Sequence, residues 1–137
     1  MGAPLYVDTS AILRAVLESG TSPEIESRIQ AAPVLVTSRL ALVESSRALA
    51  RLRALGSATE AQLADASRAL DGFWTRCELW ELDRPVCDLA RVVAPATNLR
   101  TLDALHLATF QLARQRLAGL ELLTADDRLR AAAGSPS

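Results

Sequence analysis

The chain of 137 residues contains no lysine, one histidine, one methionine and two cysteines, and aromatic residues make up 4% of it. Each shortage excludes something. Cys77 and Cys87 are too few for a disulfide framework and lack metal-type spacing. No apolar run approaches the ~18–20 residues of a membrane-spanning helix. Residues 1–8, MGAPLYVD, hold no basic segment leading into an apolar stretch, so no signal peptide is visible. A hydrophobic content of 50% against 23% charged residues excludes a disordered chain. The length suits one domain of ~100–200 residues. These features predict a soluble, cytoplasmic single domain over residues 1–137.

The absence of lysine leaves arginine as the source of all 15 positive charges, against 16 acidic residues and a net charge of −1. Codon usage explains such a bias in an alanine-rich chain. A phosphate-binding surface is the second explanation, because guanidinium groups grip phosphates bidentately, but codon usage is the stronger one. A near-neutral total can hide charges that are separated in space.

Hydrophobic patterning alternates strands with helices. Leu5–Val7 reads as a strand followed by a helix from Ala11 to about Glu18. Pro23 opens a second helix, which runs to about Ala32, and 33–37 (PVLVT) form a second strand. Ser38 caps a helix that stops at Gly56, and Thr59 with Gln62 makes a capping box for the next, ending near Phe73. Cys77–Leu82 alternates polar and apolar residues as a half-buried strand does. Pro85 starts a helix through Val93, and Thr101 caps a helix to Arg116 that is apolar almost all round and therefore central. Leu120–Leu123 is a fourth strand, and Asp126 begins a last short helix. The order predicts a three-layer α/β/α fold with a parallel four-stranded sheet.

In such sheets the site lies at the carboxyl ends of the strands. Asp8 directly follows the first strand, Asp126 lies just past the fourth, and Asp103 sits in the first turn of the central helix. Each also has a plain role, since Asp8 and Asp126 can cap helices and Asp103 can face a helix dipole. Glu44 shares a helix face with Leu40, Ala41 and Ala48, which is costly unless the carboxylate is paired or bound to a cation. An i,i+3 pair with Arg47 is its plain explanation. His106, the lone histidine, reads as a packed core residue, although it shares a face with Asp103. Converging carboxylates invite a hard divalent cation, Mg²⁺ or Mn²⁺. The chemistry that follows is metal-assisted hydrolysis of a phosphodiester, with metal-activated water as the nucleophile.

The segments LYVDTSAILR, LALVESSRALAR, LRTLDALHLATFQLA and LLTADDRLRAAA, in that order, resemble the PIN domain, in particular the VapC toxins of bacterial type II toxin–antitoxin systems. The resemblance covers nearly the whole chain. It implies a PIN-like fold with clustered acids that bind Mg²⁺ or Mn²⁺, and cleavage of RNA. Carried over motif by motif, the acids are Asp8, Glu44, Asp103 and Asp126, the last from Thr124-Ala-Asp126-Asp-Arg-Leu129. Thr9 and Ser10 match hydroxyl residues that support the first acid or its metal-bound water. Asp127 would flank the site, and Arg100 would approach a phosphate or form a salt bridge. The helices between Ser38 and Phe73 would make a homodimer and a groove for a cognate VapB-like antitoxin, with Leu42, Leu49, Leu52, Leu63 and Leu70 as their apolar stripe. Arg47 and Arg51 would neutralise Glu44, point to solvent or line the RNA path, the structural roles being favoured. Two departures stand out: the family's final strand is missing or very short, and Ala125 replaces a larger residue.

Two rivals are weighed against this reading. A haloacid dehalogenase-type phosphatase needs a second aspartate where this chain has Ser10. A non-catalytic PIN-like interaction module would have no need of four acids. With the four acids set aside, 15 basic residues face 12 acidic ones, a remainder of +3 available to a polyanion.

Overall fold

A computed structural model describes residues 2–134. Its elements are β1 (Leu5–Val7), α1 (Thr9–Val16), α2 (Pro23–Ala31), β2 (Leu35–Ser38), α3 (Arg39–Ala54), α4 (Glu60–Arg76), β3 (Cys77–Trp80), α5 (Arg84–Ala90), α6 (Thr101–Arg116), β4 (Glu121–Leu123) and α7 (Asp127–Ala133). The four strands form one parallel sheet in the order β3-β2-β1-β4. The fold class therefore follows the sequence expectation.

Strand alternation divides the core into two layers. Leu5 and Val7 of β1 point to one face, where they pack with Ile12, Ile29, Leu70 and Phe73 from α1, α2 and α4. Tyr6, between them, points to the other face and packs with Leu107, Phe110 and Ala113 of α6 and Leu129 of α7. All three residues of β1 are buried, as a strand covered on both sides must be. Burial of Leu107 is complete, so truncating it to alanine would cost about 2–5 kcal/mol.

Local signals set most boundaries. The Thr59–Gln62 capping box is formed in both directions, and Gly56 ends the α3 region with a positive φ of 66°. Several boundaries shift from expectation: α1 is Thr9–Val16, β2 is Leu35–Ser38, α4 runs on to Arg76 and β3 stops at Trp80. Thr101 is the first residue of α6 and Arg100 holds the cap position without a side-chain cap bond, because a guanidinium has no acceptor; it pairs with Asp103 and Asp126 instead. Helix α5 ends at Ala90, three residues early, in turns that lead to Ala94 with φ 46°. Among the described residues no strand follows β4, and residues 135–137 lie outside them. No helix of the described residues is long and apolar enough to cross a membrane.

The strand order locates the site. The chain steps outward from β1 to β2 to β3, then returns through α5 and α6 to place β4 on the opposite side of β1. The winding therefore reverses between β1 and β4, and a crevice opens at their carboxyl ends.

Candidate active site

A cavity of about 310 Å³ occupies this crevice, and Asp8, Glu44, Asp103 and Asp126 all line it. Thr9, Ser10, His106, Arg51 and Arg100 join them in the lining. Four elements converge here: the end of β1, the second turn of α3, the first turn of α6 and the cap of α7.

Asp8 is 3% exposed and serves as N-cap of α1. Its Oδ1 accepts from the Ser10 hydroxyl at 2.8 Å and the Ala11 amide at 3.1 Å, and its Oδ2 accepts from Thr124 Oγ1 at 2.8 Å. Burial pushes its carboxyl above the usual range, and these donors only partly counter it. The capping role and the site position therefore coincide. A second layer supports the same corner: Ser10 Oγ accepts from the Ala125 amide at 3.0 Å, and Thr124 Oγ1 accepts from the Asp126 amide at 3.0 Å.

Asp126 caps α7, its Oδ1 taking the Arg128 amide at 2.8 Å and the Leu129 amide at 3.3 Å. Its other oxygen lies 4.0 Å from Arg100. Asp103 Oδ2 lies 3.6 Å from the same guanidinium. Partial burial, then repulsion from Asp126, push the Asp103 carboxyl up despite Arg100. Arg100 thus spans two acids, with a side chain 72% exposed, so each contact is weak and exchangeable.

Glu44 does not pair with Arg47. Its Oε1 accepts from Thr9 Oγ1 at 2.6 Å and lies 2.7 Å from His106 Nε2. Burial raises its carboxyl, but the His106 and Thr9 hydrogen bonds outweigh burial and hold it below the usual range. Thr9 therefore supports Glu44, whereas Ser10 supports Asp8. His106 is buried, as its sequence context implies, yet its ring carries a polar link that core packing does not require. The hydrophobic pattern missed this link. The available signal was the i+3 spacing from Asp103. Thr124 was also missed as a partner of Asp8, although it stands within the T-x-D motif.

Other candidates fall outside the cleft. Asp127 has a side chain 94% exposed and pairs with Arg130. Arg47 is exposed and does not line the cavity, whereas Arg51, one turn further along α3, does.

Hard oxygen donors at the end of a parallel sheet define a class of site suited to divalent-cation phosphate chemistry. The family model of the PIN domain matches residues 5–135, and the chain belongs to the PIN domain family. It is 37% identical over 131 residues to Ribonuclease VapC46 of Mycobacterium tuberculosis, covering 96% of this chain and 91% of that protein. Ribonuclease VapC49 of the same species is 35% identical over 106 residues, covering 77% of this chain and 73% of that protein. Among solved structures, a toxin–antitoxin complex from Klebsiella pneumoniae superposes with a TM-score of 0.65 at 22% identity, covering 96% of this chain and 92% of that one, which shows the shared fold.

Proposed function

We propose that the protein is a divalent-metal-dependent endoribonuclease toxin that hydrolyses RNA phosphodiester bonds in the cytoplasm and is neutralised by a cognate antitoxin. The observation that carries this reading is the gathering of Asp8, Glu44, Asp103 and Asp126 around one cleft at the sheet's carboxyl end. The ribonuclease names of its relatives support it.

The donor set fits a hard cation. All four acids offer oxygen, and the Asp103–Asp126 repulsion is what a bound cation would relieve. Among the described residues, no three His, Cys, Asp or Glu side chains form a ready-made cage. Water and substrate oxygens would therefore have to complete the shell of a bound Mg²⁺ or Mn²⁺, as they commonly do for these ions. Asp8, Asp103, Asp126 and Glu44 would hold the ion. When bound, it supplies positive charge to the scissile phosphate and lowers the pKa of a coordinated water.

The chain's own groups do the remaining work. Arg51 and Arg100 flank the acids, and Arg100 would exchange its exposed contacts with Asp103 and Asp126 for non-bridging phosphate oxygens. His106 is no general base, because its ring is 2% exposed and both nitrogens face protein partners. An antitoxin segment would fit the apolar trough of about 690 Å³ between α1, α3 and α4, lined by Val16, Leu49, Leu52 and Leu63. A homodimer completes this reading, and native mass measures it.

The test is cleavage of purified RNA with Mg²⁺, with Mn²⁺ and with chelator, by the parent and by Asp8→Asn. Metal-dependent cleavage by the parent alone is expected, with both proteins folded. Equal cleavage by the variant would overturn the site. A parent inert in every condition and harmless on expression would make the chain a non-catalytic interaction module.

A further inference from the structure

A buried polar chain runs behind the cleft. The Tyr6 hydroxyl lies 2.8 Å from His106 Nδ1, and His106 Nε2 lies 2.7 Å from Glu44 Oε1 and 3.1 Å from Thr9 Oγ1. Tyr6 is fully buried and His106 is 2% exposed. Burying a phenol and an imidazole among Leu107, Phe110 and Val36 is costly unless their polar atoms are satisfied, and apolar residues would fill the same space without that cost. The two rings meet edge-on at 6.0 Å and 72°, which holds the imidazole at a fixed tilt.

Hydrogen positions follow from the neighbours. A lone pair on Nε2 would oppose the carboxylate oxygen 2.7 Å away, so Nε2 carries the hydrogen. With the ring neutral, Nδ1 is the acceptor and the Tyr6 hydroxyl its donor. Thr9 donates to the same Oε1, while Glu44 Oε2 has no hydrogen-bond partner among the described residues.

We propose that Tyr6 and His106 form a positioning relay: the Tyr6 hydroxyl commits His106 to its Nε2–H tautomer, and that N–H, together with Thr9, pins Glu44 by one oxygen and leaves the other to the cleft. The inference rests on Glu44 being a carboxylate of the proposed metal site. Tyr6 and His106 touch neither substrate nor metal and act through Glu44. The relay joins β1 to α6 and α3, so sheet and helix together fix one carboxylate rotamer. Partners of this kind orient ligands, and losing one typically costs ~10–100-fold in metal affinity or activity.

The experiment uses the metal-free full chain and needs no RNA. Imidazole ¹⁵N spectra should show His106 with Nδ1 unprotonated and Nε2 protonated. A doubly protonated ring, or the opposite tautomer, would overturn the relay. Calorimetric Mn²⁺ binding should weaken by about 10-fold in Tyr6→Phe and towards 100-fold in His106→Leu. His106→Gln, whose amide can both donate and accept, should recover most of the loss. With RNA, the same variants should lower kcat and leave KM near that of the parent. If His106→Leu does not fold, Tyr6→Phe and His106→Gln carry the test. Folded variants that bind Mn²⁺ like the parent would sink the proposal. A parent that binds Mn²⁺ and shows the expected tautomer, yet leaves RNA intact, would support the relay and remove the ribonuclease reading instead.

Discussion

Asp8 and Glu44 line one cleft from different elements, two walls of one site, and their carboxyls are displaced in opposite directions. Asp8 is 3% exposed and takes three neutral donors, two hydroxyls and an amide, yet its carboxyl is pushed up. Glu44, with a side chain 23% exposed, takes an imidazole N–H and a hydroxyl, and its carboxyl is pushed down. Counting hydrogen bonds does not explain the difference, since Asp8 has more of them. Depth explains it: neutral donors replace only part of the hydration that a nearly sealed carboxylate loses. The Asp8 wall is therefore incomplete as an anion and gains most from a cation. Glu44 is held as an anion through one oxygen by protein donors, and its other oxygen is left to the cleft.

The largest effect expected is at Asp8. Asparagine there keeps the α1 cap but removes the charge, and RNA cleavage should fall by at least ~10²–10³-fold, equivalent to several kcal/mol of lost charge stabilisation. Glu44→Gln should cost less, about 10–100-fold, because its wall supports the site more than it drives it. Equal losses would erase the distinction. A smaller pair sharpens it: Ser10→Ala takes one donor of three from Asp8, and Thr9→Ala one of two from Glu44. Each removes a hydrogen bond to a charged group, about 1.5–3 kcal/mol, so a cleavage loss of roughly 10–100-fold is the ceiling. Thr9→Ala should show the greater loss, and Thr9→Ser should restore activity.

Proton occupancy gives an independent measure. Carboxyl ¹³C titration of the metal-free protein should therefore show Asp8 and Asp103 protonating above the ordinary aspartate range and Glu44 below the ordinary glutamate range. Mn²⁺ affinity should weaken across the same range. Glu44 titrating above the ordinary glutamate range, or Asp8 below the ordinary aspartate range, would refute the assignment of the two walls.

The sequence exposed the elements of this contrast better than the contrast itself. An apolar triplet ending in Asp8, and Asp126 just past a fourth strand, were enough to place both acids at the carboxyl edge. Periodicity shows which face of an element is buried, so α6 was legible as central. It does not show which polar atoms meet across elements. His106 finds Tyr6 100 residues away, and Thr124 finds Asp8 across 116. The Glu44–Arg47 pairing failed for the same reason: a local i,i+3 partner was visible, and a stronger one 62 residues away was not. Asp127 was drawn in by adjacency to Asp126, but the cap geometry turns successive side chains apart.

The smallest effect expected concerns Asp103, whose carboxyl is raised by burial and by Asp126. The folded state then binds a proton more readily than the unfolded chain, whose aspartates titrate near ~3.9. Between that value and the raised folded one, stability falls as pH rises, and the penalty is fully present at neutral pH. Asp103→Asn should therefore melt slightly above the parent in chelator at pH 7. The α6 dipole, which favours an anion in the first turn, works against this and keeps the gain small. The difference should vanish on acidification through the Asp103 titration. Saturating Mg²⁺ should reverse it, since a ligand held by the folded parent at 100 times its Kd adds about 2.7 kcal/mol and the variant gains less. A parent that melts above Asp103→Asn without metal would mean that Arg100 already neutralises the pair. The cleft would then be built to hold its acids with arginine and not to await a cation.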